Sequence, residues 1–119
     1  MSYSNFEGIF FDDISMAVNN TSSTFCGEYV SMGAIQLDWS GADFLDGYIE
    51  AEVTAGLGLG ATDFVWSYLS NTRIYFDSAS GNCFYQLPVA AYKRIRLKYY
   101  AGSNTAGTLR ATYIFKSYK

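Results

Sequence analysis

The sequence predicts an all-β chain, folded as one antiparallel β-sandwich of jelly-roll type. Three observations carry that expectation. Aromatic residues make up 18% of the 119 residues, and such side chains suit the half-buried surface of a pleated strand. Good helix formers are scarce. Above all, apolar residues recur with a period of two. In the stretch from Arg94 to Tyr99, Ile95, Leu97 and Tyr99 fall on one side while Arg94, Arg96 and Lys98 fall on the other, as they do when successive side chains leave opposite faces of a strand. A chain of this length supports one hydrophobic core rather than two.

The elements follow in order. Met1–Gly8 is polar and reads as a flexible N-terminal arm, with the sandwich domain occupying 9–119. Ile9–Val18 holds a first strand, bent at Asp12-Asp13. Asn19–Thr24 is a polar loop. Phe25–Tyr29 forms a short strand. Val30–Trp39 forms a longer one that places Ile35, Leu37 and Trp39 on one face. Ser40–Gly47 is a turn region. Tyr48–Thr54 alternates again, with Ile49, Ala51 and Val53 inward and Glu50, Glu52 and Thr54 outward. Phe64–Leu69 carries Trp66. Arg73–Asp77 and Cys83–Leu87 flank Ser78-Ala79-Ser80-Gly81-Asn82 and read as a hairpin. The basic strand and Thr108–Lys116 flank a second glycine-containing loop and read as another. Short strands punctuated by turn signals point to a sandwich or jelly roll.

Charge is divided along the chain. Met1–Asp77 contains eleven acids and one base, a net of −10, while Ser78–Lys119 contains seven bases and no acid, a net of +7. Either acidic and basic strands pair inside one fold, or oppositely charged faces promote assembly with copies or partners. Partner contact therefore falls on Arg94, Arg96 and Lys98 and on Glu50 and Glu52. On this reading the pairs are exposed and each is worth about 0–1 kcal/mol. Arg96→Glu is then expected to leave a folded protein that binds its partners less well.

Catalytic signatures are missing. With no histidine in the chain, the commonest general base and metal ligand are removed, together with every Ser-His or Cys-His pair. Cys26 and Cys83 lack metal or CxxC spacing and are expected to be free thiols, consistent with a protein made in a reducing cytoplasm. The N-terminus has no secretory signal, and no run is long enough to cross a membrane as a helix. Gly56, Gly58 and Gly60 alternate with Leu57 and Leu59, but without the helix start and lysine of a phosphate loop. Asp38, Asp43 and Asp46 surround one turn, where aspartate is common; their spacing fits no EF-hand loop. Glu50 and Glu52 read as one solvated strand face rather than a glycosidase pair. Trp39 and Trp66 read as core rather than sugar platforms. The basic row does not imply nucleic acid, because the whole chain is acidic, with pI near 4.7. No cofactor, metal or catalytic residue is expected, and neither nucleic acid nor membrane is an expected partner.

The C-terminal third resembles small virion proteins of tailed bacteriophages. The residues that carry the resemblance are Tyr92, the strand Arg94-Ile95-Arg96-Leu97-Lys98-Tyr99, the run Gly107-Thr108-Leu109-Arg110-Ala111, and Lys116. The stretches Gly41-Ala42-Asp43 and Gly47–Val53 are loosely similar as well. A Ser-Asn-Asp-Gly turn before a Trp, found in many such proteins, is not matched by Thr54–Asp63 ahead of Trp66. The resemblance implies a non-enzymatic β-sandwich that decorates or cements a capsid in the virion, assembled in the host cytoplasm. It implies the major capsid protein or other virion proteins as partners, and a homo-oligomer with a trimer favoured. The alternative is a carbohydrate-binding module of a tail or fibre.

Overall fold

The computed structural model describes residues 3–26, 32–54, 66–69, 71–87 and 94–118, with side chains described for 5–25, 32–54, 66–69, 71–87 and 94–116. All regular structure among them is strand: β1 (Tyr3–Ser15), β2 (Asn20–Thr21), β3 (Phe25–Cys26), β4 (Met32–Ser40), β5 (Tyr48–Thr54), β6 (Ser67–Tyr68), β7 (Ile74–Tyr75), β8 (Gly81–Leu87), β9 (Arg94–Tyr100) and β10 (Thr108–Tyr118). One sheet, A, has the order β1-β10-β4-β8. The other, B, has β9 and β5 at its centre, with β2 and β3 along the β9 edge and β6 and β7 along the β5 edge. Every pairing is antiparallel. With each pair of two-residue strands counted as one interrupted edge strand, the chain changes sheet at every connection except that from β5 to β6. That is a jelly roll, and the all-β sandwich expected from the sequence is what the chain forms.

The period of two translates directly into the core. Ile35, Leu37 and Trp39 of β4 and Leu109, Ala111 and Phe115 of β10 are buried on the inner face of sheet A. Ile49, Ala51 and Val53 of β5 and Ile95, Leu97 and Tyr99 of β9 are buried opposite them. Aromatic rings join the layers at both ends. Phe25 stacks on Phe115 with centroids 4.3 Å apart. Phe76 meets Trp39 edge-on at 4.9 Å and Tyr99 at 5.9 Å. The Tyr99 hydroxyl donates to the Met16 carbonyl at 2.8 Å, so a polar atom inside the core is satisfied. Burial pushes Tyr99 up to about 12.

Both predicted hairpins are corrected. β9 lies in sheet B and β10 in sheet A, so Ala101–Gly107 arches between sheets. β7 and β8 are likewise in different sheets, and 76–80 is a second arch. A glycine-containing loop between two alternating strands is equally compatible with both geometries, because in each case both strands turn an apolar face inward. The deciding contacts are distant in sequence. Gly107 sits at φ +109°, and a Cβ there would lie 3.0 Å from the Ala42 nitrogen, which is a reason for glycine at that position. The Met16 amide donates to the Gly107 carbonyl at 2.9 Å.

The predicted arm is corrected too. From Tyr3 its residues pair with β10, Tyr3 with Tyr118 and Gly8 with Tyr113, as the first half of β1. Polar composition misled here, since an edge strand gains its ladder from the backbone whatever its side chains. The bend expected at Asp12-Asp13 is present: register breaks between Ile9 and Phe11 and again between Phe11 and Ile14, with Asp13 at φ +51°. Asn20 and Thr21, read as loop, pair with Tyr99 and Lys98. The glycine-rich run at 55–62 and the lead-in at 88–91 lie outside the described residues, as does the side chain of Cys26. Cys83 is a free thiol, which burial pushes upward in pKa.

Candidate interaction surface

The charged residues singled out in the sequence meet on the outer face of sheet B. β5 and β9 pair so that Glu50 opposes Lys98, Glu52 opposes Arg96 and Thr54 opposes Arg94. The Arg96 Nε donates to Glu52 Oε1 at 2.8 Å, and its guanidinium lies 3.9 Å over the Trp66 ring, a cation–π contact. Side-chain exposure is 24% for Arg96 and 14% for Glu52, so this pair is half-buried. Glu50 was expected in solvent and is instead buried. It accepts from the Arg73 Nε at 3.1 Å. Lys98, although opposite Glu50, places its Nζ 5.5 Å over the Tyr100 ring. The acidic and basic strands thus neutralise one another within the subunit, the first of the two alternatives open in the sequence.

Sequence reasoning missed the role of Arg73. Its guanidinium packs 4.2 Å from the Tyr48 ring centre and donates to the Tyr75 hydroxyl at 3.4 Å. Tyr48 also stacks on Tyr100 at 4.5 Å and leans on Tyr75 at 5.4 Å. One signal was present: Arg73 is the single base among eleven acids in the first 77 residues.

The three aspartates do not converge. Asp38 lies on the outer face of sheet A, where Gln36 Nε2 donates to it at 3.4 Å. Asp43 accepts from the Thr105 amide at 2.9 Å and from its hydroxyl. Asp46 accepts from the Ser103 amide at 3.0 Å and hydroxyl at 2.7 Å. These bonds tie the β4–β5 loop to the β9–β10 arch. They hold both carboxyls below the ordinary 3.8, the hydroxyl bonds from Thr105 and Ser103 being the largest causes. A carboxyl lowered by folding contributes stability above its unfolded value, and that stability is lost as pH falls through its folded value. Tm is therefore expected to drop as pH falls from about 3.8 downward. Asp43→Asn with Asp46→Asn should flatten this acid limb in a calorimetric pH series; an unchanged limb would place the acid sensitivity elsewhere.

The two tryptophans part company. Trp39 is core, its Nε1 donating to the Ser78 carbonyl at 2.9 Å. Trp66, expected to be core, lies on the outer face of sheet B beneath Arg96.

The outer face of sheet A was not singled out by the sequence. Its pairing aligns Ile9, Thr112, Gln36 and Phe84 in one row and Glu7, Ile114, Ala34 and Gln86 in the next. All of these except Gln86 line a shallow groove of about 510 Å³. Ile9, Met32 and Phe84 are exposed here, Phe84 to 71%. Ile9 and Phe84 stand on the two edge strands with Thr112 and Gln36 between them, while Glu7 shares β1 with Ile9, Lys116 lies beside Met32, and Arg110 lies beside Asp38. Arg110 is bonded to Asp12 at 3.1 Å. Large apolar side chains exposed on one face mark a candidate contact surface. In sequence the face is hidden, because Phe84, Met32 and Ile9 lie on three different strands.

No protein-family model and no curated protein sequence matches the chain. Solved structures share its fold. The SPBc2 prophage-derived protein YomS superposes with a TM-score of 0.57 at 10% identity, covering 98% of this chain and 96% of that one. A chain of infectious bursal disease virus, Gx strain, superposes with a TM-score of 0.52 at 11% identity, covering 97% of this chain but 32% of the longer viral one. A family 29 carbohydrate-binding module from Piromyces equi aligns with a TM-score of 0.44 at 13% identity, too distant to carry an argument. The likeness is one of fold.

Proposed function

We propose that this chain is a non-enzymatic structural protein of a phage particle, which decorates or cements the capsid through protein–protein contacts. The observation that carries the proposal is the outer face of sheet A, which exposes Ile9, Met32 and Phe84 among polar and charged residues. The fold it shares with a prophage-derived protein and a viral chain supports the same reading. Its partners are the major capsid protein or other virion proteins, and copies of itself. It is assembled in the host cytoplasm and resides in the virion. Contact energy comes from burying the exposed apolar side chains of sheet A, while Arg96, Glu52 and Glu50 hold their own subunit together.

Capsids prepared without the protein provide the test. Added protein should co-sediment with them and saturate at a fixed ratio to the major capsid protein. Failure to bind refutes the decorating role. The second reading, a carbohydrate-binding module of a tail or fibre, draws on the same groove, which Phe84 lines together with Gln36, Thr112 and Glu7. It predicts retention on immobilised host glycans and none on capsids.

A further inference from the structure

The sandwich has four edges, and they are protected very differently. In sheet B each edge is divided between two strands of two residues, β2 with β3 and β6 with β7. In sheet A, β1 carries Glu7, Asp12 and Asp13 and breaks register twice. Short strands, charges and bulges are the features that stop an edge from pairing with another chain. The other edge of sheet A, β8, has none of them. It runs Gly81-Asn82-Cys83-Phe84-Tyr85-Gln86-Leu87, with no charge and no proline. It pairs with β4 without a break over its whole length. Among the described residues, no strand lies on its far side.

We infer that β8 is a dimerisation edge, which pairs antiparallel with β8 of a second copy about a two-fold axis at Phe84. The occupant follows from the strand's own pattern. Phe84 is its middle residue, so the two-fold sets Phe84 against its equivalent. Asn82 then faces the other copy's Gln86, an amide against an amide. Cys83 faces Tyr85 on the inner side. Gly81 faces Leu87, and no opposition brings charges together. A strand paired with itself in this way forms an isologous contact, the commonest kind in soluble oligomers. The result is one continuous eight-stranded sheet whose outer face bears two copies of the Ile9–Met32–Phe84 patch. This deepens the self-association proposed above, and its two-fold symmetry cannot by itself close the trimer that the resemblance implies.

Sedimentation of the full chain tests the contact. Wild type should sediment as a dimer. Phe84→Lys opposes two ammonium groups across the axis and should sediment as a monomer with an unchanged circular dichroism spectrum, since Phe84 lies outside the core. Directly opposed Cα atoms in an antiparallel pair are about 4.5–5.5 Å apart, within disulfide range. Phe84→Cys should therefore give, on mild oxidation, a disulfide joining the two introduced thiols in peptide mapping, while Asn82→Cys should not. A monomeric wild type, a dimeric Phe84→Lys, or a Phe84→Cys chain without that disulfide overturns the inference. If Phe84→Lys fails to fold, the disulfide mapping decides alone. A monomer that still binds capsids refutes this edge and leaves the particle role standing. A dimer that ignores capsids does the reverse.

Discussion

Trp39→Ala is expected to destabilise the domain by about 3–5 kcal/mol, the range for deleting a buried large aromatic side chain. Trp39 is 7% exposed on the inner face of sheet A. Its ring meets Phe76, which in turn meets Tyr99 of sheet B, so it links the two layers. It also donates to the Ser78 carbonyl in the arch between β7 and β8. A Cβ on Gly81 would lie 2.9 Å from the Trp39 ring, so glycine lets that strand start against the indole. Removal of the ring opens a cavity and leaves the Ser78 carbonyl without its donor, while the arch keeps its bonds to Gly41 and Ala42. The check is chemical denaturation, where the midpoint should fall at nearly unchanged slope. Trp66→Ala, on the outer face, should cost far less. Similar losses for the two tryptophans would contradict this account of the core.

Arg96→Glu is expected to destabilise the fold by on the order of 3 kcal/mol, near the lower end for breaking a buried ion pair. The sequence alone suggested otherwise, because an exposed pair contributes little. The structure changes the estimate through burial. The guanidinium is covered by Trp66, and Glu52 is the more buried partner. Reversal sets two carboxylates side by side in that half-buried space and removes the cation from the indole. Glu52→Arg combined with Arg96→Glu should recover part of the loss, and a double-mutant cycle measures how much. A reversal that leaves the denaturation midpoint unchanged would return the pair to the solvated surface.

Strands and their inward faces were legible in the sequence because burial on one side imposes a period of two. Ile35, Leu37 and Trp39 were placed correctly on that pattern, as were Ile95, Leu97 and Tyr99. Sheet membership was not legible. A loop such as Ala101–Gly107 has the glycine of a hairpin, and its use as an arch depends on Asp43, Asp46 and Met16, residues remote in sequence. The charge division offered the meeting of β5 and β9 within one fold as one of two alternatives, and they do pair. It did not foresee that Arg73, in the loop before β7, would cover Glu50. The outer face of sheet A escaped notice because its apolar residues are isolated within each strand and gather only when the strands are in register.

The most direct measurement is the copy number of the protein in purified phage particles, by quantitative mass spectrometry against the major capsid protein. A capsid-decorating role predicts many copies, in a fixed ratio to the major capsid protein. A handful of copies, as a tail or fibre component would give, or none at all, would contradict it.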